Sequence, residues 1–578
     1  MNKMLRTIAV LMSVLMVFTS LVSCDTTDIA VSSDTTSEIV ETSSDTSKPE
    51  KPTSSAKTEV TSSEEEKNYV FEIIYPKVTA SNFKITLTDA DVKDYKAKIN
   101  EAKNIVRSYK SSRLDEFRHA VYELLSIREA FKAERDMAYL SYCCEMTDEN
   151  WDKYMEAYNR FDDVSDSFWS FNSSVSNTTS IFSDVIKIII AEEFGELIAG
   201  RSDAYGDELE RLEGEYNSLK NSGADDKELF EVYKKYFITA DKYAKSGSFK
   251  SYYEYETKIT RKRTDTADQR DAFREYVKTY LVPLGKQLRT RYRIFDDQLR
   301  PDEYELSNRY LSDSYDSFEE NYLFDYFSSL PKSAAEIMLG VFDDDKIIIG
   351  DKENSNNTAM VYTVGKTPIC YFHKDKTALD TMAHELGHYY ANIVNDTTNF
   401  SYSLEETHST ASEMLLYSYL SDKLDNIAFD SAETYMVFEY MYQIVANVIK
   451  DEFDEIISNT DPETLTLEGI QEIMNDLIDE YDVRDFSTNT VNNLTSYWKT
   501  HTIAYYGRNY CYAEGFMASF QIYAKSKTDY KAATEIYKKL VEEPKNGGEY
   551  LATIKNAGLT TPYDEQTYIE LQKLATLS

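Results

Sequence analysis

Apolar residues after residue 67 recur at intervals of three and four, the spacing of one face of an α-helix. Two series are the clearest, and each predicts a long helix whose apolar face packs on a neighbouring helix. The helical period continues, with charged faces, over 201–294 and 313–339. The two series are Val92, Tyr95, Ile99, Ala102, Val106 and Tyr109, and then Trp151, Tyr154, Tyr158, Phe161 and Phe168.

The period changes between residues 341 and 375. Three short segments, 346–349, 361–364 and 369–372, are rich in Ile, Val, Tyr and Phe, which is typical of β-strands. Gly365 lies in the short connection between the second and third segments, as in a tight turn between strands. The pattern therefore predicts a mainly α protein with a small β-sheet directly before its next helix.

The amino terminus has the pattern of an export signal. Lys3 and Arg6 precede an apolar run over 8–18, and the sequence Leu-Val-Ser-Cys ends at Cys24. This arrangement resembles the lipobox of bacterial lipoproteins, in which the signal peptide is cut before the Cys and a lipid is attached to its sulfur. A plain secretory signal cut near Ser23 is the alternative. We expect residues 1–23 to be a signal peptide, Cys24 to carry the lipid, and the exported protein to be anchored to the bacterial cell membrane, facing outward.

The remainder divides into three parts by composition. Residues 24–67 are mostly Ser, Thr, Asp and Glu with scattered Lys and Pro, which cannot build a core and predicts a disordered tether. Residues 68–199 form the predicted amino-terminal helical lobe. Residues 200–578 form the predicted second domain, which holds the candidate chemistry.

Charge and cysteine content narrow the function further. The 578 residues carry a net charge of -38, which argues against a nucleic-acid partner because phosphates require a basic face. The five cysteines show no disulfide framework, although a single bridge between Cys370 and Cys511 remains open. The 47 tyrosines suit either a large interior or a peptide-binding cleft.

The candidate chemistry lies at Ala383-His384-Glu385-Leu386-Gly387-His388. The surrounding segment is helical in pattern, so both imidazoles should lie one turn apart on one face. This is the H-E-x-x-H arrangement, in which two histidines bind zinc and the intervening Glu acts as general base. A surface helix that merely carries two histidines is the alternative. We expect His384 and His388 to bind one Zn²⁺ per chain and Glu385 to be catalytic.

A catalytic zinc site needs a third protein ligand and one open position. The helix-like run Tyr-Ser-Leu-Glu-Glu-Thr-His-Ser-Thr-Ala-Ser-Glu offers Glu405, Glu406, His408 and Glu413. Because a helix turns about 100° per residue, only one of the two adjacent glutamates can face the metal. The residues by themselves leave the choice open.

The two segments together resemble the zinc helices of the M3 metallopeptidases, the relatives of oligoendopeptidase F and thimet oligopeptidase. Ser409 and Glu413 are in register with that family's second helix, and the resemblance implies that Glu406 is the third ligand, with His408 and Glu405 as alternatives. Glu413 lies two turns further on the same face and would orient a ligating imidazole. Asp380 would either bind an imidazole in the same way or serve as an acid at the start of the helix.

A third segment carries the same resemblance. In M3 oligoendopeptidases a His precedes an aromatic run ending Y-x-Y-A-x-G, and here Tyr510-Cys511-Tyr512-Ala513-Glu514-Gly515 follows His501 at the matching offset. The resemblance implies that His501, Tyr510 and Tyr512 stabilise the oxyanion of amide hydrolysis, since a neutral Tyr hydroxyl can donate a hydrogen bond to it.

The predicted sheet could take part as well. An exposed edge strand can bind an extended peptide by adding it as a further strand. We expect the strand with Ile369, Cys370 and Tyr371 to align the substrate backbone, and a purely structural hairpin is the alternative.

The M3 resemblance implies a two-lobed helical zincin with a deep channel that admits short peptides. We therefore expect a zinc metalloendopeptidase that hydrolyses oligopeptides at the cell surface. Two alternatives remain: a surface lipoprotein that binds peptides without cutting them, and a zincin of another family with a different third ligand.

Overall fold

In this computed structural model the described part of the chain is helical apart from one small sheet. It consists of Tyr69 and residues 71–81, 86–107, 113–178, 204–312, 323–424, 426–486, 488–500 and 506–573. The predicted signal peptide, Cys24, the tether and His501 lie outside these residues. Among the helices described, none is both long and apolar enough to cross a bilayer.

The first three helices form a core of their own. They are α1 (Asp89–Arg107), α2 (Leu114–Cys144) and α3 (Asp148–Thr178). Tyr95 of α1 and Phe168 of α3 are buried in this core, as their spacing predicts. The start of the second apolar series behaves differently, because Trp151 and Tyr158 are 43% and 39% exposed. They lie on the outer surface of α3 and not in the helix interface.

Within the described residues from 204 to 343 there are eight further helices. Two of them, α6 and α7, run directly into π-helical turns, Glu256–Thr260 and Val277–Leu281. The eight are α4 (Ala204–Ser222), α5 (Asp226–Ser246), α6 (Tyr252–Tyr255), α7 (Ala267–Tyr276), α8 (Val282–Gln298), α9 (Pro301–Ser312), α10 (Leu323–Ser329) and α11 (Lys332–Asp343).

The sheet follows α11, as predicted. Its strands are β1 (Ile347–Gly350), β2 (Met360–Val364) and β3 (Thr367–His373), in the spatial order β1-β3-β2. β3 pairs parallel with β1 and antiparallel with β2. The β2–β3 connection is two residues long, and Gly365 adopts the positive φ of 63° that this tight turn requires.

The sheet is covered on both faces, so β3 is apolar from Pro368 to Phe372. Ile369 and Tyr371 belong to a core with residues of α2, whereas Cys370 and Phe372 belong to the large core of the remaining helices. This alternation follows from the period of two along a strand. The sheet thus separates the amino-terminal helices from the helix that carries the candidate metal ligands.

The last part of the chain builds the site. It contains α12 (Leu379–Val394), α13 (Tyr402–Ser421), α14 (Ile427–Asn459), α15 (Leu467–Glu480), α16 (Thr488–Thr495), α17 (Tyr497–Thr500), α18 (Arg508–Ser526), α19 (Tyr530–Glu542), α20 (Tyr550–Ala557) and α21 (Glu565–Leu571). Helix α13 packs between α12 and α18. The expected fold class, mainly α with a small sheet beside the helix of the H-E-x-x-H motif, is confirmed.

Candidate metal centre and active site

Three side chains from α12 and α13 converge on one point. His384 and His388 lie one turn apart on α12, with ring centroids separated by 5.1 Å. Glu406 approaches from α13, and its Oε2 lies 4.0 Å from His384 Nε2. One donor atom from each of the three residues lies within 4.8 Å of the others, and all three residues are buried. This cluster can hold a metal ion.

The two alternatives for the third ligand, Glu405 and His408, lie outside the cluster. Glu405 is partly exposed, and the charges of Lys262 and Arg508 act on it, although burial of its carboxyl group still raises its pKa to about 8. His408 is buried, and its ring packs 5.9 Å from that of Phe400. Burial lowers the pKa of His408 to about 3. Neither side chain belongs to the three-residue cluster, so the geometry selects Glu406 among the candidates.

A glycine explains why α12 and α13 approach closely enough to share a metal. A Cβ added at Gly387 would lie 2.7 Å from the backbone oxygen of His408 and 2.7 Å from Cα of Ser409. Gly515 does the same between α18 and α13, where a Cβ would lie 3.1 Å from the Ser403 oxygen and 3.3 Å from Cβ of Glu406. Helix α13, which carries Glu406, is therefore in close contact with α12 at Gly387 and with α18 at Gly515, because neither glycine has a side chain.

Replacing Gly387 by Ala is expected to separate these helices. Because the new Cβ would meet backbone and not a flexible side chain, we expect a loss of about 1–3 kcal/mol in the free energy of unfolding, as for other overpacked sites, together with weaker zinc binding. Chemical denaturation and zinc titration measure the two effects. Gly214 of α4 is the matched control, since a Cβ there meets no atom within 4 Å, and Ala should stabilise it by about 0.5–1 kcal/mol. A Gly387→Ala protein as stable as wild type would contradict this account.

Behind the cluster, Glu413 holds one imidazole. Its Oε2 lies 3.2 Å from His384 Nδ1, and the hydroxyl of Tyr440 on α14 donates to the same oxygen. With Nδ1–H donating to this carboxylate, the lone pair of His384 Nε2 is directed at the cluster. Burial lowers the pKa of His384, but the hydrogen bond and charge of Glu413 and the charges of Glu385 and Glu406 together raise it to about 9.

Removing the charge of Glu413 is expected to weaken zinc binding without removing a ligand. For Glu413→Gln we expect an affinity about 10- to 100-fold lower, the usual range for the partner of a ligating imidazole. Competition with a chromophoric chelator measures it. Tyr440→Phe keeps the carboxylate and is expected to lower the affinity by a smaller factor. Wild-type affinity in Glu413→Gln would show that the contact does not orient the ligand.

Asp380 does not take part in holding an imidazole, which corrects one of the two expectations for this residue. Its Oδ2 accepts from the hydroxyl of Tyr417 at 2.9 Å, and its Oδ1 accepts from the backbone N–H of Thr381. Asp380 lies in the first turn of α12. Burial raises its pKa to about 7, and the charge of Glu413 adds to this shift. The structure thus agrees with the reading of an acid at the start of the helix.

The carboxylate of Glu385 faces the sheet. It is fully buried, and neither oxygen has a hydrogen-bond partner among the residues that the structure describes. The backbone of Val361 on β2 favours its ionised form, while burial raises its pKa to about 7. Its charge also acts on Cys370 of β3. A carboxyl group with a pKa near neutrality can act as a general acid–base group.

The order of the strands corrects the expected substrate strand. β3 lies in the centre of the sheet, where Ile369, Cys370 and Tyr371 are paired with β2 on one side, and Cys370 and Tyr371 also with β1 on the other. Its backbone is therefore not available for a further strand. β2 is the edge next to Glu385, and the sequence could not show this because strand order depends on non-local pairing.

The two tyrosines expected at the site, Tyr510 and Tyr512, lie on different sides of α18. Tyr512 is on the side of the cluster, since its hydroxyl lies 3.0 Å from that of Tyr402, which precedes Glu406 by four residues and so shares its face of α13. Burial raises the pKa of Glu406, and both hydroxyls act against that rise. Tyr510 packs on the far side of α18, with the guanidinium of Arg263 3.9 Å from its ring centroid and Phe273 beside it. Residues two apart on a helix point about 200° apart, so only one of the pair can face the metal. Tyr510 is not placed to stabilise an oxyanion.

The structure adds residues that sequence reasoning missed. Arg508, the first residue of α18, donates from Nη2 to the Tyr512 hydroxyl at 2.9 Å. Tyr402 and Tyr512 hydroxyls lie 3.0 Å apart. A signal was present in the sequence, because Arg508 precedes Tyr512 by four residues and so shares its helix face.

Solved structures share this fold. A protein described as an oligoendopeptidase F from Bacillus anthracis str. Ames matches with a TM-score of 0.59 at 15% identity, covering 86% of this chain and 97% of that chain. PZ peptidase A with an inhibitor matches with a TM-score of 0.59 at 15% identity, covering 86% and 99%. A second structure described as an oligoendopeptidase F gives 0.58 at 14%, covering 86% and 98%. No protein-family model and no curated protein matches the sequence.

The fold and the cluster define a class, a helical protein with an H-E-x-x-H helix and a third carboxylate donor on the next helix. Within that class, this chain has the fold of oligoendopeptidase F and PZ peptidase A over almost the whole length of those proteins. The resemblance in fold that the motifs predict is thereby confirmed.

Proposed function

We propose that this protein is a zinc-dependent endopeptidase that hydrolyses short peptides at the outer surface of a bacterial membrane. The observation that carries the proposal is the convergence of His384, His388 and Glu406 beside the buried carboxylate of Glu385. The names of the proteins with the same fold, an oligoendopeptidase and a peptidase, support the reaction class.

The donor set fits zinc. Two imidazoles and a carboxylate are a common ligand set of catalytic zinc. Tetrahedral ligands at about 2.0–2.1 Å from the metal lie roughly 3.4 Å apart, so the cluster, whose donors lie within 4.8 Å, needs only small side-chain adjustments. The buried Oε2 of Glu406 has no hydrogen-bond partner among the described residues and lies on the His384 side, as a ligating oxygen would.

Each residue of the site then has its own role in the reaction. Zinc, when bound, supplies Lewis-acid polarisation of water and of the substrate carbonyl. Glu385 accepts a proton from the attacking water and delivers it to the leaving amide nitrogen, so it ends the cycle unchanged. The Tyr512 hydroxyl, beside Glu406, is the described donor best placed to stabilise the carbonyl oxygen as it gains negative charge. His501 keeps the role that the sequence assigns to it as part of the proposal.

The substrate is held as a strand. β2 is an edge of the sheet, and its Val361 lies beside Glu385, so a peptide that pairs with 360–364 brings its backbone past the general base. Because strand addition forms hydrogen bonds with the backbone of the peptide and not with its side chains, it suits an enzyme that accepts many short sequences. The substrate-aligning role expected of β3 thus passes to β2.

The cellular location follows from the sequence. The lipobox at Cys24 and the Ser- and Thr-rich tether over 24–67 support an enzyme held off the membrane by a flexible segment. Labelling of cells with an alkyne fatty acid is expected to mark the wild-type chain and not Cys24→Ala. A chain released into the medium with no label would indicate a plain secretory signal.

Metal analysis combined with peptide cleavage tests the proposed activity. The purified protein is expected to contain one zinc ion per chain and to cleave an internally quenched fluorescent peptide. Chelation should abolish cleavage, and added zinc should restore it. Cleavage that persists after complete removal of metal would refute the mechanism, and tight peptide binding without any cleavage would favour a peptide-binding lipoprotein.

A further inference from the structure

Two buried arginines lie around one tyrosine beside the metal cluster. The guanidinium carbons of Arg508 and Arg261 are 5.0 Å and 5.9 Å from the ring centroid of Tyr402. Arg508 also lies 5.4 Å from the centroid of Tyr512. Both arginines are at most 8% exposed, whereas Tyr402 is partly exposed. Cation–π contacts of this kind fix the direction of a guanidinium.

This arginine pair is one side chain away from the candidate metal ligands. Arg508 Nη2 donates to the Tyr512 hydroxyl, which lies 3.0 Å from the Tyr402 hydroxyl. Tyr402 precedes Glu406 by four residues on α13 and so shares its helix face. The guanidinium of Arg508 therefore lies close to the helix turn that carries Glu406.

The two buried cations differ in sign from the net charge of the chain. The chain as a whole carries a net charge of -38, yet two guanidinium groups are buried at this position. Arg261 has Glu256 at 3.8 Å, and Arg508 donates to the Tyr512 hydroxyl beside the helix turn of Glu406. A divalent cation held by Glu406 would offset that carboxylate, so the charge of Arg508 would then favour an incoming anion.

We propose that Arg508 and Arg261 form an anion subsite that binds a carboxylate of the peptide substrate, either its C-terminal α-carboxylate or an acidic side chain close to the cleaved bond. This inference rests on the proposed peptidase function. The planar guanidinium matches a carboxylate with two parallel hydrogen bonds. Since Tyr512 and Tyr402 lie between Arg508 and the helix turn of Glu406, we place the bound carboxylate on the order of two extended residues, ~7 Å, from the metal cluster.

Such a subsite would select substrates by length. A peptide whose chain end lies about two residues beyond the cleaved bond gains a charge-assisted contact, and a long chain gains it only where an Asp or Glu occupies that position. Charge-assisted pairs of this kind change affinity by about 10- to 100-fold. The subsite would thus give a physical reason for a preference for short peptides beyond the width of the cleft.

Three matched quenched fluorescent peptides test the proposal. They share one sequence and end in a free carboxylate, in an amide, or in an amide with Asp as the last residue. For the wild type we expect KM for the free acid to be at least about tenfold lower than for the plain amide. Arg508→Gln should raise KM for the acid to the level of KM for the amide, and any loss of kcat through Tyr512, to which Arg508 donates, should be the same for both peptides. The third peptide shows whether a side-chain carboxylate substitutes for the terminal one.

Equilibrium binding separates this inference from the proposed activity. Fluorescence anisotropy of the same peptides on zinc-free and zinc-loaded Glu385→Gln protein, with and without Arg508→Gln, measures recognition without turnover. Binding to Glu385→Gln that depends on the carboxylate and on Arg508, together with a zinc-loaded wild type that cleaves none of the peptides, would refute the peptidase and retain the subsite. An equal KM for acid and amide in the wild type, or an equal rise in KM for both in Arg508→Gln, would overturn the subsite.

Two further variants guard against a folding defect. If Arg508→Gln does not fold, Arg508→Lys, which keeps the charge, should retain part of the preference for the acid, and Arg261→Gln should reduce it. A preference for the acid that is undiminished in both Arg508→Lys and Arg261→Gln would overturn the proposal. Arg211→Gln is the matched control, because Arg211 is exposed on α4 and pairs with Glu208 and Glu215; it should behave as wild type.

Discussion

Exchange of Glu385 for Gln is expected to lower kcat for peptide hydrolysis by at least about a thousandfold, within the range that a general acid–base group contributes. The side chain keeps its size and burial but can no longer accept a proton from water. Glu385 is not a member of the metal-donor cluster, so the variant should retain its zinc. The measurement is the rate of cleavage of a quenched peptide, normalised to zinc content.

A second buried glutamate provides the control for this substitution. Glu433 of α14 accepts hydrogen bonds from Tyr523 and Lys527 and lies outside the cluster. Glu433→Gln removes a buried charge of the same kind, so it is expected to affect stability and to leave the rate per zinc-loaded molecule near that of wild type. Equal rates for Glu385→Gln and wild type would remove Glu385 from the mechanism.

The sequence predicts those parts of the site that depend on short-range geometry. His384 and His388 must share a face because they are four residues apart on one helix, and Glu413 must share the face of Glu406 because seven residues complete nearly two turns. The strand over 361–364 and its turn at Gly365 are equally local. These features need no knowledge of the tertiary structure, and the structure reproduces them.

Features that depend on helix phase or on packing could not be obtained in this way. Whether Tyr510 or Tyr512 faces the metal depends on how α18 is rotated against α13, and a pattern of alternating tyrosines does not fix that rotation. The contact between Asp380 and Tyr417 depends on the distance between two helices. The central place of β3 depends on its pairing with β1, which lies about twenty residues earlier in the chain.

Helix α13 shows why amphipathic patterns fail at the centre of a large protein. Residues on every face of α13 are buried, so it has no polar stripe to reveal its orientation. Its small residues, such as Ser409, Ala411 and Ser412, are the remaining signal, because they allow α12 to approach at Gly387. Gly387 in the H-E-x-G-H motif and the small residues of α13 are thus complementary features of one helix contact. Both are visible in the sequence, but the sequence does not show that α12 and α13 are the helices that meet.

Loss of the third ligand is expected to have the second large effect. Glu406→Ala removes one of only three protein donors, so zinc affinity should fall by more than the factor of about 10–100 typical of an outer partner, and peptide cleavage should fall with it. His408→Ala should lower the midpoint of thermal unfolding, because a buried ring is lost, yet keep its zinc. Glu405→Ala, the adjacent residue on the same helix, should keep zinc as well. Zinc content after dialysis against a weak chelator decides among the three: retention by Glu406→Ala with loss from His408→Ala or Glu405→Ala would transfer the ligand role to that residue and place α13 in a different rotation from the one in this structure.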